Sequence, residues 1–144
     1  MLFKRLNRSD AERVFAVFKA NESGIAADDL VALSVTGGAA AADGVGVEQP
    51  TATGLGTVVG IADAAIASGA YGLVQIYGYR STSRINSGSV SSVTAGGYLK
   101  AVADQDYLET VASSITANLP WVTILDSLAS SSATQSAKVF IRAM

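Results

Sequence analysis

The chain has 144 residues, a net charge of −2, 15% charged residues and 49% hydrophobic residues. It contains no histidine and no cysteine, which removes the usual general base, the Ser-His and Cys-His nucleophile pairs and the commonest ligand of transition metals. The slightly acidic balance also argues against a nucleic-acid partner, because such a protein needs a basic patch to release counterions from phosphates.

The amino terminus, "MLFKRLNRSDAER", carries a cluster of positive charge that the rest of the chain lacks. We predict that residues 1–13 form an arm and that residues 14–144 form a single β-rich domain of ordinary size. The arm either frays, as termini do, or reaches onto a partner. No apolar region of the kind found in signal peptides follows the first residues, so we expect assembly in the cytoplasm. The basic residues before position 9 are Lys4, Arg5 and Arg8.

Short apolar runs rich in β-branched residues predict strands in the first half of the chain. "VFAVFK" (14–19) has the length and aromatic content of a strand buried on both sides. "GIAADDLVALSV" (24–35) predicts a turn and a strand, and "TVVGIA" (57–62) predicts the next strand. Between them, residues 36–56 form a connection rich in small residues, with one short strand at Val45–Val47.

The segment "ASGAYGLVQIYGYRS" (67–81) is the most informative stretch of the chain. Its glycines disfavour a helix, because each interior glycine costs roughly 1 kcal/mol relative to alanine. It is too short for a membrane span, which needs about 20 apolar residues. We therefore predict a strand, and the period of two puts five side chains on one face: Tyr71, Leu73, Gln75, Tyr77 and Tyr79.

The second half of the chain alternates polar segments with short apolar runs. We predict strands at 98–102, 121–125 and 138–144, a helix at 107–118, and polar turn or linker segments at 81–97 and 127–137. The whole chain therefore predicts an all-β fold: a compact single-domain β-barrel or sandwich of short strands, with one or two short helices.

Motifs that would carry chemistry are weak. "GLGTVVG" (54–60) neither follows a strand nor opens a helix, as a dinucleotide loop must. The acidic turn at Asp104, Asp106 and Glu109 lacks the register of a calcium loop. Serine occurs in no Gly-x-Ser-x-Gly motif, and only a Ser-Lys pair stays open as a nucleophile. We expect a protein that is not an enzyme and binds no cofactor or metal.

Three blocks of sequence, "KRLNRSDAERVF", "GIADAAIASGAYGLVQIYGYRS" and "AKVFIRAM", resemble small head proteins of tailed bacteriophages, in particular the decoration or cement class. The resemblance implies a β-rich domain, commonly a homotrimer, on the outside of the capsid. There it would bind the major capsid protein and stabilise contacts between capsomers in the virion. The family has no active-site residues to carry over.

Two functional hypotheses follow for the candidate residues. In the first, residues 1–13, with Lys4, Arg5 and Arg8, contact the capsid lattice, while Tyr71, Tyr77 and Tyr79 help to form subunit contacts, because tyrosine is enriched where surfaces close on each other. The alternative is a carbohydrate-binding module on the virion or another surface. In that case sugar rings would stack on Tyr77, Tyr79 and Trp121.

Overall fold

The structure is a computed structural model that describes residues 12–21, 24–35, 44–87, 92–111, 122–129, 131 and 133–143. Strands form nearly all of the regular structure in these residues, and the helical element among them is a 3-10 turn at Leu55–Thr57. In chain order the strands are β1 (Arg13–Ala20), β2 (Leu30–Leu33), β3 (Gly46–Glu48), β4 (Val58–Ala62), β5 (Tyr71–Arg80), β6 (Arg84–Asn86), β7 (Ser92–Val93), β8 (Tyr98–Ala101), β9 (Leu108–Thr110), β10 (Val122–Ile124), β11 (Leu128–Ala129), β12 (Gln135–Ser136) and β13 (Val139–Arg142). The prediction of an all-β fold is confirmed.

Five of the described strands close into a barrel in the order β1, β3, β2, β4 and β5, with β5 pairing back onto β1. The β1–β3 pair is parallel, whereas the other four pairs of the barrel are antiparallel. The β1–β5 pair is the longest, and it runs from the Lys19–Tyr71 pair to the Arg13–Gly78 pair. These two strands therefore form a continuous ribbon along one side of the barrel.

Small and β-branched side chains fill the interior of the barrel. Gly72 of β5 makes room for Ile66, because a Cβ on Gly72 would lie 2.5 Å from Ile66 Cγ1. Ile66 in turn forms a backbone bridge to Ile25, which holds the turn before β2 against the turn before β5. The buried members of this interior cluster are Ala20, Ile25, Val31, Val47, Ala62, Ile66 and Val74.

Beyond the barrel, the same 11-stranded sheet continues from the far half of β5 in the order β13, β10, β8, β9, β6 and β12, and we call this part the second sheet. The inner side of this sheet packs on the outer surface of the barrel at β2 and β4, which forms a second and larger core. The wall of the barrel is therefore buried on both sides there: Val31 and Ala62 face its interior, while Leu30 and Ile61 belong to the second core. The buried members of that core are Leu30, Ala32, Val58, Ile61, Ile85, Val93, Leu99, Leu108, Val122, Ile124, Ala137, Val139 and Ile141.

The predicted helix at 107–118 is wrong where the structure describes it. Leu108–Thr110 is strand β9, which pairs with both β8 and β6. Leu108 and Thr110 are buried while Glu109 lies between them and pairs with Lys100 at 3.2 Å. This alternation has the period of a strand. Residues 112–118 lie outside the described residues.

Short strands account for the other differences from the sequence predictions. The segments predicted as turn or linker, 81–97 and 127–137, contain β6, β7, β11 and β12, each of two or three residues. These strands have polar side chains and no apolar run that would predict a strand from the sequence. They form because neighbouring strands pair with them. The strands predicted at 57–62, 98–102 and 138–144 are confirmed.

Candidate functional site

Strand β5 belongs to both parts of the fold, and a bulge separates its two halves. Tyr77 pairs with Val14 of β1, but the next residue of β1, Phe15, pairs with Gln75, so that Ile76 is an extra residue on β5. Neighbouring residues of β1 point to opposite faces, so Tyr77 and Gln75 also lie on opposite faces. A bulge of this kind reverses the alternation of side chains along the strand.

The prediction that the tyrosines of this segment share one face with Leu73 and Gln75 is therefore wrong. Tyr71 and Leu73 lie on the outer surface of the barrel, whereas Tyr77 and Tyr79 lie on the other face of the sheet. Gln75 is fully buried. The extra residue could not be read from the sequence, because a bulge is specified by the partner strand and not by the bulged strand alone.

Hydrogen bonds from the buried Gln75 side chain hold the strand in this shape. Its Nε2 donates to the carbonyl oxygens of Tyr79, at 2.9 Å, and Tyr77, at 3.3 Å. Its Oε1 accepts from Arg80 Nη1 at 3.3 Å. Gly78 completes the arrangement with a φ of +99°, and a Cβ on this residue would lie 1.9 Å from the Glu12 carbonyl oxygen.

Arg80 ties this end of β5 to the turns at the barrel rim. Its Nη2 donates to Asp28 Oδ1 at 2.6 Å and to the Ala62 carbonyl oxygen at 2.8 Å. Its Nη1 donates to Asp63 Oδ1 at 3.2 Å and to Gln75 as described. The Arg80 side chain is only 7% exposed, whereas the two carboxylates still reach water. A charge buried to this degree is stable because it is paired and hydrogen-bonded on several sides.

A second arginine, Arg84, joins the turn before β2 to the turn before β9. Its Nη1 donates to Asp29 Oδ1 at 2.8 Å and also to Asp106 Oδ2. The hydrogen bond to Asp29 raises the pKa of Arg84 above its usual value, against the opposing effect of burial. The guanidinium therefore stays charged throughout the physiological pH range. Asp106, a residue of the acidic turn, is thus a structural ion-pair partner.

The outer surface of the β1–β5 pair carries a partly exposed and mainly apolar stripe, which we call the ribbon face: Phe15, Val17, Lys19, Tyr71 and Leu73. Val17 and Leu73 are direct cross-strand partners, as are Lys19 and Tyr71. Val17 is 60% exposed, Leu73 48% and Tyr71 65%. The prediction that "VFAVFK" is buried on both sides is therefore wrong, because Val17 is exposed and the other five residues of 14–19 are only half-buried. The second sheet covers the barrel at β2 and β4 and not at this ribbon.

A second surface, which we call the aromatic face, lies on the other side of the sheet. Its central row crosses four strands through Tyr79, Phe140, Thr123 and Tyr98, which are consecutive register partners. All four residues are half-buried. Strands lie about 4.8 Å apart, so the row spans about 14 Å between its outer tyrosines.

Two further residues border this row. The rings of Tyr77 and Phe140 lie 5.4 Å apart in an edge-to-face arrangement with an interplanar angle of 81°. Arg142 pairs with Tyr77 in the register and is exposed, and its Nη2 donates to Thr123 Oγ1 at 3.3 Å. Sequence reasoning singled out Tyr77 and Tyr79, but it missed Phe140, Tyr98 and Arg142, because only the strand order brings β13, β10 and β8 beside β5.

The remaining candidate residues show structural roles or lie outside the described part of the chain. In the "GLGTVVG" segment, Gly60 allows the close approach of β5, because a Cβ there would lie 2.1 Å from the Gln75 carbonyl oxygen. Among the described residues, no group of acidic side chains is arranged to hold a metal ion. In the same residues, every buried polar side-chain atom has a hydrogen-bond partner. Lys4, Arg5, Arg8 and Trp121 lie outside the described residues, so their roles stay predictions.

No helix in the described part of the chain is both long and apolar enough to cross a membrane.

The chain is similar to the N base of the head fibre protein gp8.5 of bacteriophage phi29, with a TM-score of 0.49 and 15% sequence identity, over 92% of this chain and 96% of that chain. No protein-family model and no curated protein matches the sequence.

Proposed function

We propose that this chain is a structural protein of a tailed-phage head, which binds the outer surface of the capsid and stabilises contacts between capsomers. Its partner in this role is the major capsid protein, and it acts by adhesion without catalysing a reaction. The sequence resemblance to decoration proteins is the starting point. The observation that carries the proposal in the structure is the aromatic face, which has the composition of a protein-binding surface.

The residues of the aromatic face suit a contact with protein. Tyrosine and arginine, together with tryptophan, are the side chains enriched among those that dominate binding energy at protein interfaces. Tyr77, Tyr79, Tyr98 and Phe140 are half-buried in their own sheet, so little conformational entropy remains to be lost when a partner covers them. Arg142 adds an exposed donor beside the rings.

The geometry favours protein over carbohydrate as the ligand of this face. A sugar ring stacks on the flat side of an aromatic ring, and an extended glycan needs several such sides facing the solvent together. Tyr77 and Phe140 instead meet edge to face at 81°, so their two rings do not form a common platform. Carbohydrate binding stays the alternative hypothesis, and binding of the purified chain to a glycan array would favour it.

Co-sedimentation of the purified chain with capsids that lack it tests the proposal. We expect saturable binding, and we expect Tyr79→Ser to weaken it by about tenfold or more, which corresponds to about 1.4 kcal/mol. Tyr79→Phe keeps the ring and is expected to bind nearly as the parent chain does. Val35→Ser replaces an exposed residue that follows β2. It is the control for a loss of binding that any change of a surface side chain would cause.

Two results would reject the proposal. One is a parent chain that stays in the supernatant at every capsid concentration. The other is equal loss of binding in Tyr79→Ser and Val35→Ser, which would show that the aromatic face is not the contact. Far-UV circular dichroism of each variant excludes misfolding as the cause.

A further inference from the structure

The ribbon face is not explained by contact with the capsid through the aromatic face, because the two surfaces lie on opposite sides of β5. Its centre is the cross-strand pair of Val17 and Leu73, both about half exposed or more, and its next row pairs Lys19 with the exposed Tyr71. Contiguous apolar patches are uncommon on monomeric soluble proteins and mark sites of interaction.

The apolar side chains of the ribbon face are not needed for packing inside the chain. On the inner side of the same two strands, Ala20 and Val74 are fully buried and Phe18 packs on the barrel interior. These residues already supply the core that the strands need. Val17 and Leu73 point away from that interior, whereas the outer wall of the barrel at β2 and β4 is covered by the second sheet. The exposed pair of Val17 and Leu73 is therefore suited to contact with a partner protein.

We propose that the ribbon face of one chain packs against the ribbon face of a second copy about a two-fold axis parallel to the strands. This goes beyond the proposed capsid contact and uses a separate surface. It also differs from the trimer that the sequence resemblance implies.

The ribbon face is complementary to itself under this symmetry. A two-fold contact is isologous, so each residue meets a different residue of the copy in reciprocal pairs. An axis running between β1 and β5 sets Val17 against Leu73 of the second copy and, reciprocally, Leu73 against its Val17. The same axis sets Lys19 over the ring of Tyr71 of the second copy, where an ammonium ion is attracted to the aromatic face.

Charge at the two borders of the ribbon face supports the same pairing. Lys19 lies on the β1 side, while Asp63 lies on the β5 side, because its backbone N–H donates to the Leu73 carbonyl oxygen. The Asp63 side chain is 41% exposed and keeps a carboxylate oxygen near the surface. Two copies related by the axis bring the basic border of each toward the acidic border of the other. Such complementarity fixes the register of an interface.

Sedimentation equilibrium over a range of concentrations tests the proposal. We expect a reversible dimer of twice the 14.6 kDa chain mass. Leu73→Ser is expected to raise the dissociation constant by at least tenfold, and Lys19→Glu is expected to raise it as well. Val35→Ser removes an aliphatic side chain of similar exposure and is expected to leave the dissociation constant unchanged.

Disulfide trapping gives a second and independent measurement, since the chain has no cysteine of its own. A mixture of Val17→Cys and Leu73→Cys chains is expected to cross-link faster than a mixture of Val35→Cys and Leu73→Cys chains. A parent chain that stays monomeric up to millimolar concentration would overturn the proposal. So would a mass of three chains, or an association that Leu73→Ser leaves intact. Each of these results is distinct from the capsid-binding assay, which reports on Tyr79.

Discussion

Replacing Arg80 with methionine tests how the two halves of the fold are held together. Methionine roughly keeps the length of the side chain but donates no hydrogen bond. The substitution removes the donor that lies 3.3 Å from the buried acceptor Gln75 Oε1. The Ala62 carbonyl oxygen loses its 2.8 Å hydrogen bond from Arg80 and keeps the one from the Asp28 backbone N–H at 3.0 Å. It also leaves Asp28 and Asp63 without their shared cation.

The expected loss of stability follows from these contacts. A buried acceptor left unsatisfied costs about 1–3 kcal/mol, and breaking a buried ion pair from one side costs about 3–5 kcal/mol. Asp28 and Asp63 are 29% and 41% exposed, so water can solvate them and the lower end of that range applies. We expect Arg80→Met to lower the free energy of unfolding by about 2–4 kcal/mol.

Urea denaturation followed by far-UV circular dichroism measures this change as a lower midpoint with an unchanged slope. Arg142→Met is the matched control, because Arg142 is exposed and makes a single hydrogen bond of 3.3 Å to Thr123. That variant is expected to stay within about 0.5 kcal/mol of the parent chain. Equal midpoints for the two methionine variants would refute the role assigned to Arg80.

Two further substitutions test the packing. Gly78→Ala is expected to destabilise the chain by about 1–3 kcal/mol, because the φ of +99° and the Glu12 carbonyl oxygen, 1.9 Å from the position of an added Cβ, leave no room for a side chain. Gly56→Ala is the control, because an added Cβ there meets open space. Equal melting temperatures for the two variants would contradict the backbone geometry described for β5. Ile141 is 1% exposed in the larger core, and Ile141→Ala is expected to lower the free energy of unfolding, measured by urea denaturation, by about 2–5 kcal/mol. A loss no larger than that of an ordinary surface substitution would show that the second sheet does not pack on the barrel as described.

The features that the sequence predicted correctly were local. The runs at 57–62 and 138–144 became β4 and β13, because β-branched residues between turn signals specify a strand with little help from tertiary contacts. A strand in the segment 67–81 was predicted from glycines that disfavour a helix and aromatic residues that favour a sheet, and the structure has it at Tyr71–Arg80. Composition and local periodicity were therefore enough to identify the fold class.

The features that the sequence could not predict depend on distant partners. The bulge at Ile76 is visible only in the register against β1, and it decides that Tyr71 and Tyr77 face opposite ways. The aromatic face needs the order β5, β13, β10 and β8, and no local pattern in the sequence encodes this order. Leu108 lies near one stripe of a helical pattern in the sequence, yet pairing on both sides makes it part of a strand.

Electron microscopy of phage heads with and without this chain is the most direct test of a capsid-binding role. We expect additional density on the outside of the capsid that disappears when the chain is removed. We also expect the aromatic face, with Tyr79 and Arg142, to lie against the major capsid protein. Heads whose outer surface is identical with and without the chain would contradict the capsid-binding role, as would density at another position in the virion.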